Sequence, residues 1–542
     1  MPSVDAFAYF LLFAKITMLL VGLCFLISGL DDLFIDICYA CRNLYRRLVI
    51  LPKCNALSEQ RLREKEEQWI AIMVPAWDES AVIRPMLENT LRVLDYTNYR
   101  IFIGTYPNDL ETQREVDLVR EGNIQVHRIT TPHDGPTNKA DCLNWIYQGI
   151  HLYEKSHGMK FEIFVMQDCE DVIHPLCYRL FNYLIPRKDM VQLPVQSLET
   201  KWYQLTGGHY MDEFAQSHYK DMVVREAISG CIPAAGVGCG FSRKAFETIA
   251  GKNNNQLFSI DSLTEDYDFG FRLHRNGLKQ VFVRYEVVRS VQKKQFLTGK
   301  ITNVTKRETV CIREYFPAKF MYAVRQKSRW VVGITMQGWE NLGWQGSLAT
   351  RYMLFRDRKS ILTNLLNLVG YLLVGLVLTV WFIQWLHPDT YKYPPLLEKN
   401  SLLWYVLYVN AFLLLLRILL RAYCVYRLHG TMHAFLSFPR MIWGNLINFL
   451  ATMRAIKQYV RYLRTGKLIK WDKTTHQYPS EEQLLSFRRK LGDILLDSRR
   501  ITVDQLNHAL KIQCEKPALL GEILKSLGWL QQHELDEFLL RQ

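Results

Sequence analysis

Trp69-Ile70-Ala71-Ile72-Met73-Val74-Pro75 sets six apolar residues against a proline, and the fold class turns on how that run is read. An unbroken apolar run of this length predicts a strand covered on both faces, with Pro75 ending it. Moving outward, a helical stretch begins at Ala81, Arg100 to Thr105 reads as a second strand, and Glu111 to Glu121 as a helix. Ile124 to Arg128 is a third strand, Asn138 to Tyr153 a helix, and Phe161 to Gln167 a fourth strand. Short apolar strands alternating with helices predict an α/β fold, a doubly wound and mostly parallel sheet. Ligands of such sheets sit beyond the carboxyl ends of the strands. The polar groups there are Asp78 and Glu79, then Asn108 and Asp109, then Asp168, Glu170 and Asp171.

Several short stretches carry chemistry, each with a plainer alternative. In Asp168-Cys169-Glu170-Asp171, carboxylates one residue apart on extended backbone point the same way and can share one Mg2+ or Mn2+ ion. An acidic turn before His174-Pro175 would look the same. Lys139 stands at a helix start, where an ammonium and the helix dipole together suit a phosphate; a solvated surface lysine is the alternative. The glycines of Gly236-Val237-Gly238-Cys239-Gly240 allow close backbone approach to a ligand, or a strand turn. Thr264-Glu265-Asp266-Tyr267-Asp268 sets carboxylates at the rim of the apolar run Phe269, Phe271, Leu273. A carboxylate so placed can act as a general base, and Thr264 with Glu265 and Asp266 can equally cap a helix. Gln326-Lys327-Ser328-Arg329-Trp330 offers an amide, a bidentate guanidinium and a large aromatic, suited to a diphosphate or to anchoring an interfacial helix.

The 542 residues leave room for roughly two to four domains, and 49% hydrophobic content excludes a disordered chain. The net charge of +14 invites a nucleic-acid reading, but the basic residues cluster beside apolar spans. Arg42, Arg46, Arg47 and Lys53 follow one span; Arg351, Arg356, Arg358 and Lys359 precede another; Arg454, Lys457, Arg461, Arg464, Lys467 and Lys470 follow a third. That is the positive-inside pattern, so the partner is a lipid bilayer and not a nucleic acid. The 12 cysteines are scattered, as expected of free thiols in a reducing cytoplasm. Ala6 to Leu30 reads as a retained span, with Lys15 able to snorkel and the N-terminus on the periplasmic side. Asp31, Asp32 and the amphipathic Leu33 to Leu51 read as an interfacial helix. Ile361 to Leu386 and Leu402 to Leu420 are long enough to cross, whereas Phe435 to Met453, with Pro439 and Arg440, reads as lying in the interface. Three crossings and a cytoplasmic C-terminus follow; a fourth would move the tail outside.

The tail is a repeat. Lys490 to Gln513 and Leu519 to Gln542 match at an offset of 29 residues, pairing Leu491-Gly492 with Leu520-Gly521, Leu506 with Leu535 and Leu510 with Leu539. Paired helical units of this kind bury a shared core. The domains expected are 1–60 (first span and interfacial helix), 61–345 (α/β), 346–475 (interfacial and membrane helices) and 476–542 (helical repeat).

Asp168-x-Glu170-Asp171, then Thr264-Glu265-Asp266, then Gln326-x-x-Arg329-Trp330, in that order and between membrane spans, resembles the processive family-2 glycosyltransferases of the cellulose- and hyaluronan-synthase kind. The likeness is closer still to the inner-membrane phage-adsorption branch, through Ile27 to Asp32, Ile70 to Trp77, Gly104 to Asp109, Gly444 to Phe449 and Trp471 to His476. The resemblance implies a GT-A-type domain inserted between transmembrane helices of the bacterial inner membrane, with catalytic and C-terminal domains cytoplasmic. It implies a nucleotide-sugar donor, a UDP-sugar, and a growing glycan as substrates, and an outer-membrane secretion partner. Residue by residue, Asp266 with Glu265 beside it would be catalytic, and Asp168 with Glu170 or Asp171 would hold the metal. Glu79, Asp109, Lys139, Gln326, Arg329 and Trp330 would meet the donor. The tail is similar to the MshEN-type cyclic di-GMP receptor, which implies that Lys490, Leu491, Gly492 and Gln513, with Leu519, Leu520, Gly521 and Gln542, bind cyclic di-GMP as an activator. Two other readings remain open: a non-catalytic cyclic di-GMP-sensing scaffold, and an enzyme adding one sugar to a lipid carrier.

Overall fold

The computed structural model describes residues 2–540 apart from 254, 295–300, 389–394, 468, 470–475, 486–490, 499 and 516–517. In chain order the strands are β1 (Ile70–Pro75), β2 (Tyr99–Thr105), β3 (Val126–Thr130), β4 (Ile163–Met166), β5 (Val172–Ile173), β6 (Met190–Gln192), β7 (Val195–Ser197), β8 (Cys239–Ser242), β9 (Gln280–Phe282), β10 (Glu286–Lys294), β11 (Ile301–Thr309) and β12 (Ile312–Glu314). Seven of them form one sheet in the order β3-β2-β1-β4-β8-β6-β9. β1 pairs in parallel with both β2 and β4, so the chain winds one way from β1 and then the other. That switch opens a crevice beyond the carboxyl ends of β1 and β4. β8 runs antiparallel to β4 and β6, and the glycine run before it is the turn that reverses the chain.

The opening stretch behaves as its composition demands. Ile70 to Val74 lose all contact with solvent, Ile70, Ile72 and Val74 packing into the core on one side of the sheet and Ala71 and Met73 into the core on the other. A second sheet, β5-β12-β7, stands beside the crevice.

Among the described residues three helices are long and apolar enough to cross a membrane: Ala6–Lys53, Leu348–Leu386 and Leu402–Thr465. The expected break at Asp31 and Asp32 does not occur, because the first helix runs unbroken over Pro2–Tyr45. Those carboxylates are an ion-pair node instead. Asp32 meets Arg356 at 3.1 Å, Arg417 at 3.2 Å and Lys359 at 3.4 Å, and Asp31 joins Arg356, Lys359 and the Tyr352 hydroxyl. The third long helix is broken at Gly430 (φ 83°), and its second half lies along the helix Leu205–Gln216. Ser437, Arg440, Gly444, Ile447 and Ala451 are buried, while Phe435, Phe438 and Ile442 are exposed, an amphipathic division. Gly444 permits the approach, since a Cβ there would stand 2.1 Å from the His209 ring.

The tail pairs Leu491–Asp497 with Val503–Glu515 and Leu520–Ser526 with Gln532–Leu540. Repeat-related residues share one core: Ile494 with Ile523, Leu495 with Leu524, Ile501 with Leu530 and Leu506 with Leu535. Residues 476–484 do not belong to that unit. Leu484 packs on Val172 and Leu198 of the α/β domain, and Glu481 meets Arg92 at 3.4 Å.

Arg440 is fully buried and donates to Asp212 at 2.8 Å and to the His433 carbonyl at 2.6 Å. Arg440→Ala strands the Asp212 carboxylate in the interior, a loss of about 3–5 kcal/mol. It is expected to lower the thermal unfolding midpoint and to free the interfacial helix, read by protease cleavage between residues 430 and 465.

Candidate active site

The crevice is built from strand ends and helix ends. β1 leads into Trp77, Asp78 and Glu79; the helix Lys139–His157 starts at it; β4 runs into Asp168 to Asp171; the helix Glu265–Arg275 starts at it; the helix Phe320–Trp330 ends at it. The crevice is open to solvent, with about 1120 Å³ of empty space within it and its mouth together.

Among its described lining residues are six carboxylates (Glu79, Asp168, Glu170, Glu265, Asp266, Glu314) against Lys139, Arg329 and His476. Lys139 Nζ lies 2.6 Å from Asp168 Oδ1, and burial, which works against its charge, is overcome by Asp168, Glu265 and Asp266, so its pKa stands above the usual ammonium range. Gly236 (φ 78°) makes room at this point: a Cβ there would stand 2.6 Å from Asp266 Oδ2 and 3.2 Å from Lys139 Nζ. The motifs that hold Asp168 and Asp266, far apart in sequence, therefore share one ammonium.

The acid surplus shows in the titration of the site. Burial, then the charge of Asp266, pushes Glu265 up to about 7. Burial likewise takes Glu170 to about 7, against the pull of His476. Glu314 and Asp171 are raised well above the carboxylate range, burial first in both. A hard divalent cation suits this oxygen-rich donor set. Among the described residues no group of three or more His, Cys, Asp or Glu is arranged to enclose one. Gln326 Oε1 is a buried acceptor with no hydrogen-bond partner among the described residues.

Most of the residues singled out from the sequence meet here: Glu79, Lys139, Asp168, Glu170, Glu265, Asp266, Gln326, Arg329 and Trp330 all line the cavity. Two do not. Asp171 is fully buried, and the motif is a turn and not extended backbone: Asp171 Oδ2 accepts from the Asp168 N–H at 2.8 Å. Asp109 is occupied as a helix cap, accepting from Thr112 N–H at 3.3 Å and from Asp78 N–H at 2.5 Å, which pins Asp78 in its left-handed conformation (φ 53°). Thr264 stands at the cap position of its helix without a side-chain cap bond. In the tail, Leu491, Gly492, Leu520 and Gly521 open their helices, and the glycines admit Leu506 and Leu535, within 2.8 and 2.5 Å of a built Cβ. Gln513 Nε2 donates to the Ala518 carbonyl at 2.8 Å and Leu519 is exposed; Lys490 and Gln542 lie outside the described residues.

Sequence reasoning missed four contributors. Trp77 and Tyr106 meet edge to face at 5.1 Å and wall the β1–β2 side. Glu314 arrives at the end of β12. His476 reaches in from the segment after the last membrane helix, its Nδ1 3.0 Å from Glu79 Oε1 and 3.2 Å from Glu170 Oε2. Burial opposes its charge, but Glu170 and Glu79 raise it to about 9. Its one signal was the Trp471 to His476 run, which carried a likeness but no role.

The region 163–386 matches the family model "Glycosyl transferase family group 2". Over 541 residues the chain is 40% identical to bacteriophage adsorption protein B of Escherichia coli (strain K12), covering 99% of this chain and 72% of that protein. It is equally similar to bacteriophage N4 adsorption protein B of Escherichia coli O157:H7. Among solved structures, a mannosyltransferase from Pyrobaculum calidifontis in complex with GDP-Man and Mn2+ is 12% identical with a TM-score of 0.43, over 81% of this chain and 99% of that one. Glucosyl-3-phosphoglycerate synthase from Mycobacterium tuberculosis, with Mn2+ and UDP-glucose, is 14% identical with a TM-score of 0.26, over 42% and 75%. The matched region 163–386 is thus a glycosyl transferase family group 2 domain. With 40% identity over 99% of its length, the chain as a whole belongs to the bacteriophage adsorption protein B family.

Because the folded pKa of Glu265 is raised, the native chain keeps a proton that the unfolded chain has lost, and stability falls as pH climbs from the ordinary carboxylate range through about 7. Glu265→Gln is expected to match wild type at about pH 5 and to unfold at a higher temperature at about pH 8, by thermal scans without ligand.

Proposed function

We propose that the chain is a metal-dependent, inverting glycosyltransferase of the bacterial inner membrane that draws a nucleotide sugar from the cytoplasm and extends a polysaccharide across the membrane. The observation that supports this best is the shared cavity in which Asp168 and Asp266 both face Lys139. Trp77 and Tyr106 offer the aromatic wall for a nucleotide base. Lys139 and Arg329 bring positive charge to the diphosphate, and the Gln326 amide oxygen would accept from a sugar hydroxyl of the nucleotide sugar. Asp168 and Glu170 would hold the Mg2+ or Mn2+ that neutralises charge on the departing nucleoside diphosphate. Burial holds the Asp266 carboxylate above its ordinary pKa, which suits a group that must take a proton near neutrality. The acceptor hydroxyl loses its proton to Asp266 as its oxygen bonds to the anomeric carbon, and the bond to the diphosphate breaks on the opposite face. The configuration at that carbon inverts.

We extend the proposal to regulation and role. Cyclic di-GMP would bind the two Leu-Gly helix starts of the tail, and the glycan would serve in phage adsorption, the process named in the relatives.

Purified protein in lipid nanodiscs, given a panel of nucleotide sugars with and without Mn2+ or Mg2+ and cyclic di-GMP, is expected to release nucleoside diphosphate only with metal, and faster with cyclic di-GMP. Product length separates polymer from a single transferred sugar. Asp266→Asn is expected to lower transfer by about 10²–10⁴-fold while nucleotide still binds by calorimetry. Unchanged transfer in that variant would overturn the assignment of the base.

A further inference from the structure

The helix Glu265–Arg275 that carries Asp266 is tied to a membrane helix through its third residue. Tyr267 is buried, its ring against Phe271 (centroids 5.0 Å) in a cluster with Leu342 and Leu354. Its hydroxyl donates at 2.6 Å to Asp357 Oδ2, on the candidate span Leu348–Leu386. Arg225, on the helix Met222–Ser229, grips the same carboxylate with both ends of its fork, Nη1 to Oδ1 at 2.8 Å and Nη2 to Oδ2 at 2.8 Å. A fork with two parallel bonds fixes the plane of Asp357, and so the direction in which it accepts from Tyr267. At its other end, the backbone N–H of Tyr267 donates at 2.8 Å to Asp266 Oδ1, while Asp266 Oδ2 faces Gly236 and the Lys139 ammonium.

We propose that Arg225, Asp357 and Tyr267 form a latch that sets the orientation of the Asp266 carboxylate from the position of the membrane helix. The three are positioning residues: none of them lines the cavity. One residue spans the distance, since Tyr267 holds Asp357 with its side-chain hydroxyl and Asp266 with its backbone amide. A base displaced by about 1 Å loses up to about 10²-fold in rate, so a link of this kind sets turnover without touching the donor. It also explains why an aromatic alcohol stands directly after the base, where a helix core would accept any large apolar residue.

The inference rests on Asp266 being the base, and two readouts keep the two ideas apart. Tyr267→Phe retains the ring packing and removes only the hydroxyl; Asp357→Asn keeps the shape and removes the charge. In full-length protein in lipid nanodiscs each is expected to lower kcat about tenfold with donor KM and nucleotide affinity unchanged, and the double variant to fall little further than either single one. Independently of activity, amide exchange of the peptide spanning residues 265–271 is expected to accelerate in both variants, with the helix Lys139–His157 unaltered. Failure of wild type to transfer any sugar would refute the base, and the exchange data would still decide the latch. Exchange at 265–271 unchanged from wild type overturns it, as does a kcat within twofold of wild type or a loss appearing in KM instead.

Discussion

A single buried ammonium holds the cavity together. Lys139 sits among Asp168, Glu265 and Asp266, and without a cation there these acids would repel one another across a space poor in water. The fold supplies that ammonium from a fixed place, the first turn of the helix Lys139–His157, whose cap Asn138 accepts from the Asp141 N–H at 2.8 Å. The helix in turn is seated by Ala140, Leu143, Ile146 and Ile150 in the core on one side of the sheet. The charge is therefore located by apolar packing, which is the more rigid of the two forces. Even so, one ammonium, one guanidinium and one imidazolium do not balance six carboxylates, and burial together with the neighbouring acids raises Glu170 and Glu265.

The helix Phe320–Trp330 relates this cavity to the membrane side by presenting different residues to each. Gln326, Arg329 and Trp330 face the cavity, Trp330 packed against Tyr210, Phe214 and Phe316. Lys327 and Ser328 face the other way, Lys327 donating to Asn448 at 2.9 Å and pairing with Glu213, Ser328 donating to Gln458 at 2.9 Å. Both Asn448 and Gln458 belong to the long helix Leu402–Thr465. A five-residue motif thus meets the cavity and the helix Leu402–Thr465 together, so the two cannot shift independently. That accounts for a buried lysine in the middle of a motif whose neighbours face the cavity.

How much of this was legible depended on whether the signal was local. The strands β1 to β4 could be read because a central parallel strand must be apolar on both faces, and Ile70 to Val74 are. The acidic motifs could be placed at strand ends because strand order follows from alternation. The antiparallel β8 was not foreseen, since a glycine run before an apolar tetrapeptide does not state its direction. Asp109 stood at the right strand end, but the three-dimensional demand for a cap at Thr112 and Asp78 consumed its carboxylate. Asp31 and Asp32 read as a membrane edge because their partners, Arg356, Lys359 and Arg417, lie more than three hundred residues on. Glu314 and His476 were invisible for the same reason: nothing within a helix turn of either residue announces the company it keeps.

His476 shows how far that distant company extends. Its imidazole lies between Glu79 and Glu170, two acids from different strand ends, and is held charged by both. Residues 476–484 are anchored on the α/β domain by Leu484 against Val172 and Leu198 and by Glu481 at Arg92. Further along the chain stand the paired helices of the tail. The cavity therefore draws its counter-charge from two kinds of source: Lys139 and Arg329 stand on helices of the fold, and His476 arrives on the segment that leads to the tail. Coulomb attraction grows as water is excluded, so the imidazolium is worth most while that segment is docked.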